Sequence, residues 1–200
     1  LRSGDGGTTQ SAGDTLADFT DGTDSLGLDS SLTFNDLTIE QSGSDTVIKE
    51  GSNYLAILTG IAASNISILD FQSTDSSNQT INGTSGNDAL IGGAGGDTFN
   101  GGAGSDSLVG WNGNDTFNIR SKTGSYADTV NGGAGTDTLD ISYSGITSLK
   151  DFTLSSSGSN IVLTDASGGS ITFSNIENLT VNSIAYLPPP SDPINSGDGG

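Results

Sequence analysis

Between Gly83 and Asp140 one nine-residue phrase recurs six times, and few folds can accommodate that. The copies are GTSGNDALI (83–91), GGAGGDTFN (92–100), GGAGSDSLV (101–109), GWNGNDTFN (110–118), TGSYADTVN (123–131) and GGAGTDTLD (132–140), with an insertion, Ile119 to Lys122, before the fifth. A fixed short period predicts a solenoid, in which each copy buries its apolar residue only by stacking on its neighbours. Glycines at the first, second and fourth positions allow a tight curl with converging carbonyl oxygens. The sixth position is a carboxylate in every copy: Asp88, Asp97, Asp106, Asp115, Asp128 and Asp137. The eighth is apolar: Leu90, Phe99, Leu108, Phe117, Val130 and Leu139. Alternation over so short a run points that one side chain inward and its neighbours out, as on a strand. A Gly/Ser linker shares the composition. It has no reason to keep Asp and an apolar residue at fixed offsets through every copy.

The phrase matches G-G-x-G-x-D-x-U-x, with U a large apolar residue, and so resembles the nonapeptide of RTX (repeats-in-toxin) calcium-binding proteins. The resemblance implies a parallel β-roll with two copies per turn. Calcium is a hard cation that takes roughly 6 to 8 oxygens, more than one short loop supplies, so two loops must share each ion. Copies two apart stack on one edge, pairing Asp88 with Asp106, Asp97 with Asp115, Asp106 with Asp128, and Asp115 with Asp137. The expected ligands are the six aspartates together with the backbone carbonyls of Gly83, Ser85, Gly92, Ala94, Gly101, Ala103, Gly110, Asn112, Gly132 and Ala134. Without metal, carboxylates about 5 Å apart repel by roughly 0.8 kcal/mol per pair even in water, and the loops resist ordering. Metal binding is therefore expected to couple to folding. The pattern departs at Thr84 and Trp111, which replace second-position glycines, and in the fifth copy, which keeps only Gly124. Trp111 reads as a partly exposed cover at the loop edge.

With 31% hydrophobic residues the cores must be thin. The net charge is −19, and of 24 acidic residues only Glu40, Glu50 and Glu177 are not Asp. Such a chain repels nucleic acid and anionic membranes, and divalent cations are its natural counter-charge. Cysteine and histidine are absent. That removes thiolate and imidazole zinc sites, Cys nucleophiles and any Ser-His-Asp triad, so the chain is not expected to be an enzyme. No apolar run approaches the ~20 residues of a membrane span. Leu1 opens without a signal-peptide pattern, and the chain reads as a mature fragment or part of something longer.

Residues 1–13 read as a tail and 14–75 as a β-rich capping domain. Its phrase D-x-L-x-D-F-x-x-G-x-D-x-L-x-L resembles the domain that accompanies RTX repeats in exported bacterial, especially cyanobacterial, proteins. Leu37/Ile39, Val47 and Leu55/Ile57 lie in short β-prone runs between SGSD and EGSN, which predicts an antiparallel meander. Asp14, Asp21 and Asp24 read as turn and surface aspartates. Beyond the roll at 83–140, residues 141–187 predict a second β-rich cap, with Phe152/Leu154, Ile161/Leu163 and Ile171/Phe173 alternating. The phrase SNIENLTV (174–181) resembles the segment that follows RTX copies. Residues 188–200, with Pro188, Pro189, Pro190 and Pro193, form a stiff tail. SGDGG occurs at 3–7 and again at 196–200, a seam that suggests head-to-tail self-association into fibres.

The expectation is an all-β, calcium-loaded protein, exported by a bacterium and working outside the cell or on its surface. Its calcium-dependent folding would build a layer, adhesin stalk or filament. Two other classes fit the same residues: an export and folding module of a larger type I-secreted enzyme or toxin, and a carbohydrate-binding surface using Trp111 and the tyrosines.

Overall fold

A computed structural model of the chain describes residues 1–186 except 3 and 5. The proline-rich tail and the second SGDGG lie outside the described residues, as do two positions of the first. Among the described residues every helical piece is a three-residue 3-10 turn, and the architecture is all-β. The chain divides into two compact units, Leu1–Ser76 and Ser77–Gly200.

In the first unit the strands are β1 (Asp14–Leu16), β2 (Leu26–Leu28), β3 (Leu37–Ser42), β4 (Asp45–Glu50), β5 (Asn53–Leu58) and β6 (Phe71–Ser73). The predicted meander is β3, β4 and β5, antiparallel in sequence order, with β1 added parallel to β5. Both hairpins close in two residues, Gly43-Ser44 and Gly51-Ser52, because glycine takes φ of 64° and 58° at the first turn position. Val47, Ile48, Leu55 and Leu58 are buried. Strands β2 and β6 form a separate parallel pair. Part of the aspartate excess serves local structure: Thr33 with Asp36, and Ser67 with Asp70, are reciprocal capping boxes that launch β3 and β6.

The second unit contains the roll. Its strands are β7 (Thr80–Asn82), β8 (Ala89–Ile91), β9 (Thr98–Asn100), β10 (Ser107–Val109), β11 (Thr116–Ile119), β12 (Ala127–Asn131) and β13 (Thr138–Ile141). They alternate between two sheets, so copies two apart are parallel neighbours. In one sheet Leu90, Leu108 and Val130 stack in register; in the other Ile81, Phe99, Phe117 and Leu139 do. Each copy contributes one inward side chain, and Phe99, Leu108, Phe117 and Leu139 are fully enclosed. At ~1.5 to 3 kcal/mol per buried side chain, this ladder supplies the main attraction between turns. On the outer face Asn82, Asn100 and Asn118 link side chain to side chain at 2.8 and 2.9 Å.

The array runs one rung beyond the sequence reading at its start. Residues 74–82 (TDSSNQTIN) form a rung with Ile81 on Phe99, but with Gln79 where the aspartate would stand and no glycines. At the other end β14 (Phe152–Ser157), β15 (Asn160–Asp165), β16 (Ser170–Ser174), β17 (Asn178–Val181) and β18 (Ile184–Tyr186) complete the sheets. The expected cap first prolongs the roll: β16 stacks Phe173 on Val130 and β17 stacks Leu179 on Leu139, both parallel. Only then do β15, β14 and β18 run antiparallel and end the stacks.

Candidate metal centre

Parallel stacking gathers the sixth-position carboxylates into two files: Asp88, Asp106 and Asp128 in one, and Asp97, Asp115 and Asp137 in the other. Within each file the backbone N–H of one aspartate donates to Oδ1 of the next. The distances are 3.1 and 2.9 Å for Asp88 to Asp106 and Asp106 to Asp128, and 2.7 and 2.8 Å for Asp97 to Asp115 and Asp115 to Asp137. All but Asp88 are buried. In every aspartate but Asp88, which begins its file, Oδ1 is committed to holding the stack and Oδ2 is left for something else.

For three of them that other oxygen has no partner: Asp115 Oδ2, Asp128 Oδ2 and Asp137 Oδ2 are buried and unsatisfied. A buried carboxylate oxygen without a donor costs more than an ordinary missing hydrogen bond. Burial pushes the Asp115 carboxyl up to about 6, with the charges of Asp137 and Asp97 adding to the rise and the Asp97 N–H opposing it. Burial also raises Asp137, helped by the charge of Glu177, and raises Asp128. Asp88 and Asp97 instead accept from the N–H of the second loop residue, Thr84 at 2.7 Å and Gly93 at 3.1 Å.

The first-position glycines are required by crowding around these oxygens. A Cβ on Gly101 would stand 2.5 Å from Asp106 Oδ2, and one on Gly110 would stand 2.2 Å from Asp115 Oδ2 and 2.5 Å from the carbonyl oxygen of Gly132. At Gly83, Gly92 and Gly110 the loop's own carboxylate and the carbonyl of the loop stacked on it therefore converge on one point. Among the described residues no three acidic side chains gather at one point. A metal here would be held by two stacked carboxylates and backbone carbonyls, an all-oxygen set suited to calcium.

The expected carbonyl ligands are not equivalent. Those of Gly101, Gly110 and Gly132 approach the preceding loop, lying 2.3, 2.7 and 2.5 Å from where a Cβ on Gly83, Gly92 and Gly110 would be. The Ala134 carbonyl accepts from the Gly113 N–H at 3.0 Å. Gly83 and Gly92 open their loops, and Ser85, Ala94, Ala103 and Asn112 hold the third position of theirs. Trp111 is half-buried at the loop edge with φ 74°, and its carbonyl accepts from Ala134. In the first unit Asp14 and Asp21 are exposed, and Asp24 accepts from Thr20 N at 2.8 Å within its own turn.

The family model of the RTX calcium-binding nonapeptide repeat (4 copies) matches residues 74–108, 82–117 and 122–140. The array is an RTX calcium-binding repeat. The match begins at the glycine-free rung, in agreement with the stacking of Ile81 on Phe99. No curated protein matches the chain. Among solved structures, the crystal structure of extracellular lipase LipA from Serratia marcescens is similar at 24% identity and a TM-score of 0.31, over 62% of this chain and 18% of that one. The chain spans only a small part of that lipase's length.

Several residues of the RTX array escaped the sequence reading. Glu177 extends the second file, its Oε2 accepting from Asp137 N at 2.7 Å, and Gln79 begins it, donating its N–H to Asp97 Oδ1 at 2.9 Å. The fifth position carries a ladder of its own: Asn78, Asn87 and Asn114 each accept a backbone N–H from the next loop at 2.9 Å. The recurring Asn at that offset was the available signal. Between Asp106 and Asp128, however, where the pairing of copies leaves room for an ion, the ammonium of Lys122 stands instead. Nothing in the repeat pattern points to it, because Lys122 belongs to the insertion.

Proposed function

We propose that the chain is an extracellular structural protein of a bacterium, whose RTX array folds on calcium to build part of a cell-surface layer, stalk or filament. The observation that carries the calcium half is the pair of buried, unpartnered carboxylate oxygens of Asp115 and Asp137 beside the loop-opening Gly110 and Gly132. Asp97, Asp115 and Asp137, with Asp88 and Asp106 on the other edge, would hold the ions beside the carbonyls of Gly101, Gly110 and Gly132. The metal supplies positive charge that cancels repulsion between the stacked carboxylates it bridges, so those loops order only when it is present.

A structural rather than catalytic role is supported by what the chain carries. It has no histidine or cysteine, and the buried carboxylates of the repeats, Asp97, Asp106, Asp115, Asp128 and Asp137, are stacked in files. Asp36, Asp70 and Asp151 cap short turns. Self-association head to tail is part of the same reading, supported by the repeated SGDGG and the proline-rich exit.

Negative-stain electron microscopy and sedimentation of the full chain, in calcium and in chelator, test this function. Ordered filaments or sheets in calcium alone are expected, and they should be lost when the chain is cut before Pro188. A monodisperse monomer in calcium, with or without the tail, would leave a calcium-binding module and remove the structural role.

A further inference from the structure

The insertion before the fifth copy brings a cation of its own into the first carboxylate file. Lys122 Nζ lies 2.8 Å from Asp106 Oδ2, 2.9 Å from Asp128 Oδ1 and 2.9 Å from the carbonyl oxygen of Gly104. Its side chain is 1% exposed and both carboxylates are fully buried. The ammonium therefore sits between two stacked aspartates and a loop carbonyl, the same kinds of oxygen that converge in the loops elsewhere in the array.

We propose that Lys122 is a covalently tethered replacement for one calcium ion, so that the gap between the third and fifth copies takes no metal. This rests on the calcium reading of the array. Three local features agree with a loop rebuilt around a side chain. Arg120 turns outward to Asp140, and Ser121 adopts a left-handed φ of 56°, which turns the chain between the two basic residues. The fifth copy has Tyr126 at the fourth position, where every other copy has glycine. The Tyr126 ring centroid lies 5.2 Å from Nζ, covering the ammonium with an aromatic face. Tyr126 OH pairs with Tyr143 OH at 2.5 Å, and Tyr143 donates to Asp165 at 3.0 Å, which fixes that ring. A ring at this point would crowd an ion wrapped by the loop, but it suits an ammonium. The loss of glycines from the fifth copy is thus explained by the cation that replaces the ion.

A tethered ammonium is present at high effective concentration and needs no calcium to neutralise the pair, so this junction stays closed when calcium is withdrawn. It brings one positive charge where calcium would bring two. Lys122 reaches Asp128 only at Oδ1, and Asp128 Oδ2 is left without a partner.

The test is the number of calcium ions bound per chain, counted by native mass spectrometry for the full-length protein and for Lys122→Ala. The variant should bind one ion more than the wild type at saturating calcium. In parallel, an amine-reactive acetylating reagent applied to the unmodified protein in calcium should label Lys122 at least tenfold more slowly than the exposed Lys150. This second measurement stands even if the variant fails to fold. Equal, non-zero ion counts, or labelling of Lys122 at the rate of Lys150, would overturn the proposal and leave the calcium reading intact. If neither protein binds calcium, both fall together.

Discussion

Replacing Asp115 by Asn tests whether the buried carboxylate files oppose folding when metal is absent. Burial holds the Asp115 carboxyl at about 6 against an ordinary 3.8. At 1.36 kcal/mol per unit this is on the order of 2 to 3 kcal/mol. Because its pKa is raised on folding, the metal-free native state holds this proton more tightly than the unfolded chain. Its stabilising effect is therefore complete below 3.8 and is lost as pH rises through about 6. At pH 7.5 the metal-free roll must bear the buried charge. Asn keeps the oxygen that accepts from Asp97 N at 2.7 Å and carries no charge. In chelator at pH 7.5, Asp115→Asn should raise the urea midpoint of the roll by about 1 to 2 M, taking a slope of ~1 to 3 kcal/mol per molar. Trp111 fluorescence and circular dichroism report it. The advantage should vanish below pH 4. In calcium the order reverses, because the variant has lost a ligand and the wild type is destabilised by acid as protons compete for the site. A variant no more stable than wild type in chelator at pH 7.5 would refute the idea that carboxylate burial drives the calcium requirement.

Two further outcomes follow from packing. Phe117→Ala removes a fully buried ring stacked on Phe99 at 4.7 Å, and should cost ~3 to 5 kcal/mol in saturating calcium, read by urea unfolding. Gly104→Ala places a Cβ 2.3 Å from the Gly86 carbonyl at φ +91°, while Gly158→Ala, at φ +63°, meets nothing within 4 Å. The first should shift the calcium midpoint of folding severalfold further than the second, whose cost of ~1 to 2 kcal/mol reaches the midpoint only through overall stability; equal effects on the midpoint would mean that loop stacking is not what positions the ligands.

What the sequence determined by itself is whatever repeats at a fixed offset. Period nine fixes which residues come into line, Asp at the sixth position and an apolar residue at the eighth, and with two copies per turn, as the RTX resemblance implies, Asp97 pairs with Asp115 and Asp115 with Asp137. The hairpins at Gly43 and Gly51 were legible for a similar reason, since a turn is decided by residues adjacent in the chain. The rungs at Ile81 and Phe173 were not, because a strand can be recruited by the edge of a formed sheet without carrying the phrase that built it. Lys122 was the least legible of all. Its role depends on Asp106, sixteen residues earlier, and Asp128, six later, meeting across a turn of the roll. A four-residue insertion reads in sequence as an interruption; only the folded chain decides whether its side chain points to water or fills the space between two carboxylates.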